Sequence, residues 1–418
     1  MNSLKTLTMK KFTLLLLTII TISFFSTAQQ FEAPRLNGDQ FTKVKAHVGA
    51  DFALQYQALD HSADSTLIPL GSGINLPTAN LRLSADLAPG MQVHLHTYLS
   101  SRHHTEAWVK GGYLLIDEMP FFNSSFVDNI MQYITIKAGM DEINFGDAHF
   151  RRSDNGNVIH NPFVGNLIMD AFTTAPTIEI YFRNNGLIFM GAISGGSLKP
   201  ALTGYTSSTQ SYTAYDMKDE LAFYWKAGFD KNLSEDFRLR ITASGYHLAK
   251  QHFGSLYSGD RAGSRYYTIM NRVTNNSDDV TPAKNHTSGR WGPGFTDKNN
   301  AFMFNLFTKF KGIELFGTYE MTKGNSAFGG AEFDFNQYAI EGLYRFGGDE
   351  QFFIGARYNQ AANDADLKVD RIQAGAGWFM TKNTIVKLEY VDQNYTDFAI
   401  YGSNAGFNGI MFEAAISF

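Results

Sequence analysis

Hydrophobic and polar residues alternate along most of the chain from residue 44 onward. Between Val44 and Gln57, every even-numbered residue is apolar, whereas the odd-numbered residues are mostly polar or small. An α-helix would space its apolar residues three and four apart, so a period of two predicts a β-strand. The pattern recurs in about 16 segments, each close to the 9–11 residues of a tilted membrane strand. We therefore predict an all-β chain.

The connections between these segments alternate between short turns and longer loops. Such asymmetry is typical of a transmembrane antiparallel up-and-down β-barrel with periplasmic turns and extracellular loops. Residues 117–132 break the rule, and they predict either a small periplasmic helix or a miscounted strand. The short turns are 89–90, 185–186, 311–312, 347–350 and 381–383, and the long loops are 58–75, 143–175, 197–218, 249–299 and 323–332.

Aromatic residues gather at both ends of the predicted strands, where a membrane protein contacts the two lipid–water interfaces. A soluble β-sandwich is the alternative, but the two girdles and the asymmetric connections argue against it. The periplasmic girdle comprises Phe229, Phe237, Phe310, Phe346, Phe352, Trp378 and Phe418, and the outer one Tyr56, Tyr319, Tyr338, Tyr358 and Tyr390.

The N-terminus has the features of a secretory signal. Lys10 and Lys11 precede an apolar stretch, residues 12–25, which is followed by the small-residue triplet 26–28. We predict that residues 1–28 are a signal peptide. Residues 29–43 are then a periplasmic N-terminal segment, and residues 44–418 form the transmembrane barrel.

Composition excludes several other classes of protein. The 418 residues include no cysteine, which rules out disulfide scaffolds and Cys-ligated metal sites. The formal charge of −5 is unlike that of a nucleic-acid binder. Only one apolar run, near the N-terminus, approaches the length of a membrane helix, although 44% of the residues are hydrophobic.

The final strand alternates from Ile410 to a terminal Phe418, and it resembles the C-terminal signal read by the barrel assembly machinery of Gram-negative outer membranes. With the segment from Tyr133 to Asn161, which contains Phe145-Gly146-Asp147 and a charged third loop, the chain resembles outer-membrane porins. It is most similar to phosphate-selective porins O/P and DcaP-like porins. The resemblance implies a homotrimeric channel for small hydrophilic solutes or ions, in contact with outer-membrane lipid and lipopolysaccharide.

The polar face of each strand would form the wall of a water-filled lumen. Charges of both signs occur there, so no ring of one sign dominates ion selectivity. We expect most of them to pair across neighbouring strands. The predicted pore-lining residues are Lys45, Asp51, Arg82, Asp86, Lys137, Glu179, Arg183, Arg238, Arg240, Glu320, Glu341, Arg345, Arg357, Arg371, Lys387 and Glu389.

The third extracellular loop is the predicted constriction, because it follows the fifth strand and is densely charged. An arginine pair that faces carboxylates would set a transverse field in the pore. We expect the loop 249–299, which bears only scattered charge, to be an exposed lid or trimer contact. The predicted constriction residues are Asp147, His149, Arg151, Arg152 and Asp154.

No motif in the chain predicts catalysis, a cofactor or a metal. His94 and His96 lie on one strand face near Asp86 but lack a third ligand, and Ser244 and His247 point to opposite faces. We therefore predict a passive porin without catalytic residues. The alternative is a plugged barrel that acts as a receptor or adaptor in an envelope or secretion complex.

Overall fold

The computed structural model describes residues 29–75, 77–99, 107–153, 157–198, 219–257, 266–273, 287–326 and 330–418. The predicted signal peptide, residues 1–28, lies outside the described residues. Within the described residues, no helix is long and apolar enough to cross a membrane.

The chain forms one closed antiparallel barrel of 16 long strands, as the alternation predicts. A two-residue strand, β2, pairs with β1 in addition. The strands are β1 (Lys45–Ser62), β2 (Gly73–Ile74), β3 (Thr78–Ala88), β4 (Met91–Leu99), β5 (Ala107–Ile116), β6 (Ile134–Glu142), β7 (Thr174–Asn184), β8 (Leu187–Ser194), β9 (Ala222–Asn232), β10 (Phe237–Leu248), β11 (Lys298–Phe310), β12 (Ile313–Asn325), β13 (Phe333–Phe346), β14 (Phe352–Asn363), β15 (Lys368–Thr381), β16 (Thr384–Thr396) and β17 (Ala405–Ser417).

The first and last strands close the barrel. Residues 51–62 of β1 pair with residues 406–417 of β17, and residues 45–53 of β1 pair with β3. The backbone N–H of Ala50 also donates to the carbonyl of the terminal Phe418 at 2.9 Å. Both ends of the barrel chain therefore lie at the same rim, the one that carries the short turns.

The apolar face of the strands is outside the barrel. Val48, Phe223 and Phe412 are 63%, 48% and 42% exposed, whereas their polar neighbours Asp51 and Lys226 are buried inside. A contiguous apolar surface of this extent is unfavourable in water and is the surface that a membrane barrel turns to lipid. The stacked rings of Phe346, Phe352 and Trp378 mark the rim with the short turns, as expected for an aromatic girdle.

The connections follow the predicted asymmetry. Asn185 and Gly186 form a two-residue turn in which both residues have positive φ, 48° and 91°, as a tight hairpin requires. The long connection between β5 and β6 contains a short helix, α1 (Ser125–Met131), and not a further strand. Among the described residues, short 3₁₀ helices occur at Gly38–Gln40, Pro120–Phe122 and Ala148–Arg151.

Candidate functional site in the barrel lumen

The described residues of the third extracellular loop, 143–153 and 157–173, lie inside the barrel and are called the inner loop below. Val164 and Ile168 are fully buried. Their backbone N–H groups donate to Glu389 on β16 and to Asn359 on β14, both at 2.7 Å. Gln337 on β13 makes two bonds of 2.8 Å with the backbone of the next residue in the loop, Met169. The loop has no regular structure here, so side chains of the wall satisfy its buried backbone groups.

Two cations of the wall hold the same loop by its carbonyl groups. Lys387 on β16 donates to the carbonyls of residues 158, 161 and 163 at 3.0–3.3 Å. Arg371 on β15 donates to the carbonyl of Asn166 at 2.5 Å and to that of Gly289 at 2.7 Å. Both side chains are buried, so they hold loop backbone against the wall and are not exposed to an aqueous channel.

The predicted arginine pair is divided between two different partners. Arg151 lies between two wall carboxylates: it donates to Glu314 at 2.9 Å and bonds Glu341 as well. Arg152 instead makes a bidentate pair with Asp170 of its own loop, at 2.9–3.0 Å. Both arginines are buried, and together they do not form a charged face opposite carboxylates. Sequence alone could not show this, because consecutive residues of an irregular loop have no fixed direction.

Asp147 and His149 lie where the inner loop leaves β6. The Asp147 carboxylate accepts hydrogen bonds from Arg240, Lys226 and Thr242 at 2.7–2.9 Å. Burial by itself raises the pKa of Asp147, but Arg240 and Lys226 hold it below its usual range. The Nδ1 atom of His149 lies 3.3 Å from Oε1 of Glu142, and its Nε2 atom lies 3.0 Å from Oδ1 of Asn144. Asp154, also predicted to line the constriction, lies outside the described residues.

The first residues of the N-terminal segment also enter the lumen. Phe31 is buried against Phe150 and Phe307, with ring centroids at 5.7 and 5.3 Å. The Arg240 guanidinium lies 4.2 Å from the centroid of the Phe31 ring, a cation–π contact. The Glu32 carboxylate bonds the same guanidinium at 2.7 and 2.8 Å. The sequence gives no signal for this docking, because the segment is too short to show any periodicity.

Many described residues of the loop 249–299 are buried, so the expectation of an exposed lid or trimer contact is wrong for them, whereas Arg272 and Val273 are exposed. Tyr257 and Tyr266 are buried, and their hydroxyls donate to Glu320 on β12 and Glu389 on β16, both at 2.6 Å. Phe295 packs in the same apolar cluster as inner-loop residues. The described aromatic residues of this loop include tyrosines, phenylalanines and Trp291, and the burial of most of them inside a polar wall explains why low charge was a poor guide to exposure.

The predicted wall residues all fall on the inner face of their strands. Several of them pair across adjacent strands, as expected, and so stabilise the wall. The cross-strand pairs are Arg82–Asp51, Lys137–Glu179, Arg238–Asp230, Arg345–Glu314, Arg357–Glu341 and Lys387–Glu413.

Loops cover one arc of this wall and leave another arc open. The covered arc, the inner faces of β9–β17, includes nine of the predicted residues, and seven of these are buried. Between the inner loop and β12–β14 the remaining space is only about 30 Å³, room for one or two water molecules. The covered residues are Arg240, Glu320, Glu341, Arg357, Arg371, Lys387 and Glu389.

The open arc, the inner faces of β3–β7, lines a cavity of about 320 Å³. Its opposite side is formed by the N-terminal segment and by His149, Phe150, Asn157, Ile159 and His160 of the inner loop. The cavity has charges of both signs, with a tyrosine and histidines among them. From the wall, it is lined by Asn80, Arg82, His96, Lys110, Tyr113, Leu115, Thr135, Lys137, Asp141, Glu142, Tyr181, Arg183 and Ser417.

Comparison with known proteins shows the fold but no close relative. No protein-family model matches the chain, and no curated protein matches it significantly in sequence. Among solved structures, the anion-selective porin from Comamonas acidovorans has a TM-score of 0.51 at 10% identity, covering 90% of this chain and 100% of that one. The outer membrane channel DcaP of Acinetobacter baumannii has a TM-score of 0.51 at 11% identity, with coverages of 90% and 97%.

OprB of Pseudomonas putida is similar to the same extent, with a TM-score of 0.51 at 8% identity and coverages of 89% and 94%. At such low sequence identity, these structural similarities show the fold and say nothing about the solutes. The count of 16 long strands and their closed order agree with that likeness. The chain has the fold of the outer-membrane porins.

Proposed function

We propose that the protein is an outer-membrane porin that passes small hydrophilic solutes or ions down their gradient, along the open arc of its lumen. The observation that carries the proposal is the cavity of about 320 Å³ between β3–β7 and the inner loop. A polar, charged cavity enclosed by a wall with an apolar exterior is suited to a solute that lipid excludes.

In this proposal the inner loop and the N-terminal segment narrow the channel together. His149 and Phe150 from the loop, and Phe31 and Glu32 from the segment, line one side of the cavity. Lys110 and Lys137 line the other side with Asp141 and Glu142 among their neighbours. A solute would meet charges of both signs at this level, so size and hydrogen bonding determine passage as much as net charge. Assembly as a homotrimer is part of the proposal.

The second candidate function is a plugged barrel that serves as a receptor or adaptor in an envelope complex. The favouring observation is the large apolar cluster inside the barrel, in which Phe145, Tyr224, Tyr246, Tyr266 and Phe295 are almost fully buried. Such a cluster stabilises a plug, and it is more apolar than the interior of a wide aqueous pore.

Single-channel recording in planar bilayers distinguishes the two functions. The porin proposal predicts stable current steps that are proportional to voltage, and an increase of the conductance with salt concentration. A barrel that is folded by circular dichroism and by heat-modifiable gel mobility, yet silent in the bilayer, would favour the adaptor.

A further inference from the structure

The connection between β5 and β6 carries a group of exposed apolar side chains at the rim with the short turns. Phe121, Phe122 and Phe126 are 62%, 59% and 72% exposed, and Ile130 is 43% exposed. The rings of Phe121 and Phe122 lie in contact, with centroids 4.8 Å apart. Neither the barrel wall nor the proposed channel uses these side chains, and an isolated cluster of large apolar groups in water marks an interaction surface.

The short helix α1 has two different faces. Phe126 and Ile130 are four residues apart and therefore share one side of the helix. Val127 and Met131 share a second side, which is more buried, and Met131 is only 5% exposed. Asn129 is exposed on a third side. The helix therefore buries one apolar side and exposes a second apolar side to its surroundings.

The apolar group is continuous with the outer belt of the barrel. Ile130 is followed by Tyr133, whose backbone N–H donates to the Ile130 carbonyl at 3.0 Å. The Tyr133 ring lies 6.0 Å from that of Phe182, which in turn lies 6.2 Å from that of Phe189 on the outer face of β8. The exposed side chains thus extend the surface that the strands turn to lipid.

Charge also favours a lipid contact that is driven by apolar side chains. Residues 117–132 contain three acidic residues and no lysine or arginine. Electrostatic attraction to anionic headgroups is therefore absent from this segment, whereas phenylalanine and isoleucine at a rim are suited to the boundary between headgroups and acyl chains.

We propose that the group Phe121, Phe122, Phe126 and Ile130 inserts into the periplasmic leaflet of the outer membrane and anchors the rim of the barrel beside β6. The α1 helix lies in the plane of the interface, with its apolar side toward the acyl chains and Asn129 toward water. This contact fixes the depth of the barrel on the side that carries the open arc of the lumen.

Site-directed spin labelling tests the proposal, and the absence of native cysteine makes single-label variants straightforward. Phe126→Cys, Asn129→Cys and Ile180→Cys are each labelled with a nitroxide in the full barrel. The labelled proteins are reconstituted in vesicles of phosphatidylethanolamine with a minor share of phosphatidylglycerol. Collision with oxygen reports the bilayer, and collision with a water-soluble nickel chelate reports the aqueous phase.

We expect the Phe126 label to collide more with oxygen than with nickel, and the Asn129 label to show the reverse order. The Ile180 label, on the outer face of β7, should be in the bilayer whatever α1 does. Equal nickel access at positions 126 and 129 would overturn the proposal and leave the patch free for a periplasmic protein. Protection of the Phe126 label from both reagents would also overturn it, because a second copy would then cover the patch.

The proposal rests on the proposed function, which places the barrel in a membrane. The Ile180 label distinguishes a failure of the proposed function from a failure of the inference about α1. If that label is not in the bilayer, the barrel itself is not inserted and the proposed function fails. If it is in the bilayer while the Phe126 label remains in water, only the inference about α1 fails.

Discussion

The two arcs of the inner wall carry charged side chains of the same types but have different surroundings. In the covered arc, β9–β17, charged side chains bond loop backbone and are sealed from water. In the open arc, β3–β7, charged side chains of the same types line a cavity about ten times larger than the space behind the loop, with volumes of about 320 and 30 Å³. An inward charge in a barrel therefore has one of two roles, and the position of a loop decides which.

The difference has energetic consequences. A buried charge that loses its partner is strongly destabilising, whereas a charge near water is replaced by solvent at little cost. Lys387 and Glu413 form a buried pair with no exposed side-chain surface. By contrast, Arg183 on β7, in the open arc, is only partly buried, and its guanidinium donates to the exposed carbonyl of Ala33 at 2.6 Å. The covered arc is thus part of the protein core, whereas the open arc borders a cavity.

The largest expected effect comes from removing the Lys387 side chain, which holds the inner loop against the wall. Lys387→Met leaves Glu413 buried without its cation and leaves three loop carbonyls without a donor. We expect the free energy of unfolding to fall by about 3–5 kcal/mol, as measured by urea unfolding in detergent micelles. The comparison variant Arg183→Met, which removes a partly exposed cation of the open arc, should cost at most about 1 kcal/mol. Equal losses in the two variants would show that the arcs do not differ in burial.

A smaller effect is expected when the N-terminal segment is released. Burial raises the pKa of Glu32, but Arg240 and Lys226 outweigh burial and lower it to about 2 from its ordinary 4.5. Because the pKa of Glu32 is lower in the folded state than in the unfolded state, the stabilisation that its charge provides is complete above about pH 4.5. It is lost as the pH falls toward 2. Lowering the pH in this window should therefore detach the segment and raise the single-channel conductance.

Glu32→Gln should raise the conductance at neutral pH and abolish its further increase in acid. Asp39→Asn, an exposed position in the same segment, is the control and should behave as the wild type. A pH response that persists unchanged in Glu32→Gln would mean that another group controls the segment.

The smallest expected effect compares one charge from each arc. Lys110→Gln removes a cation from the cavity wall, so the reversal potential in a salt gradient should shift toward cation selectivity. Glu320→Gln replaces a buried carboxyl group behind the loops and keeps the shape that Tyr257 and Gln337 contact. It should leave the reversal potential unchanged. A shift in Glu320→Gln of the same size as in Lys110→Gln would place the aqueous path on the wrong side.

Much of the fold could be predicted because a barrel wall imposes a period of two over its whole length. The outward direction of Val48, Phe223 and Phe412 follows from alternation alone. The cross-strand pairs were also predictable in kind, since the inner face of a closed sheet brings opposite charges side by side. The helix α1 was one of two predicted alternatives for a connection too long for a turn.

The arrangement inside the lumen could not be predicted in the same way. Arg151 and Arg152 are adjacent in sequence but bond different partners, because the backbone of the inner loop is irregular. Phe31 and Glu32 are held inside the lumen by tertiary contacts alone, and Arg240 contacts both of them. Alternation predicts which residues belong to the polar faces of the strands, but which of them meet water depends on loops without periodicity.

The central claim is that water occupies the open arc and not the covered one. Single cysteines at His96 on β4 and at Ala339 on β13 test it directly in a chain without native cysteine. Each variant is exposed in a planar bilayer to a small, charged, water-soluble thiol reagent while the current is recorded. The account predicts that His96→Cys reacts and its conductance falls in a step, while Ala339→Cys conducts without change. Reaction at Ala339→Cys with protection at His96→Cys would contradict it.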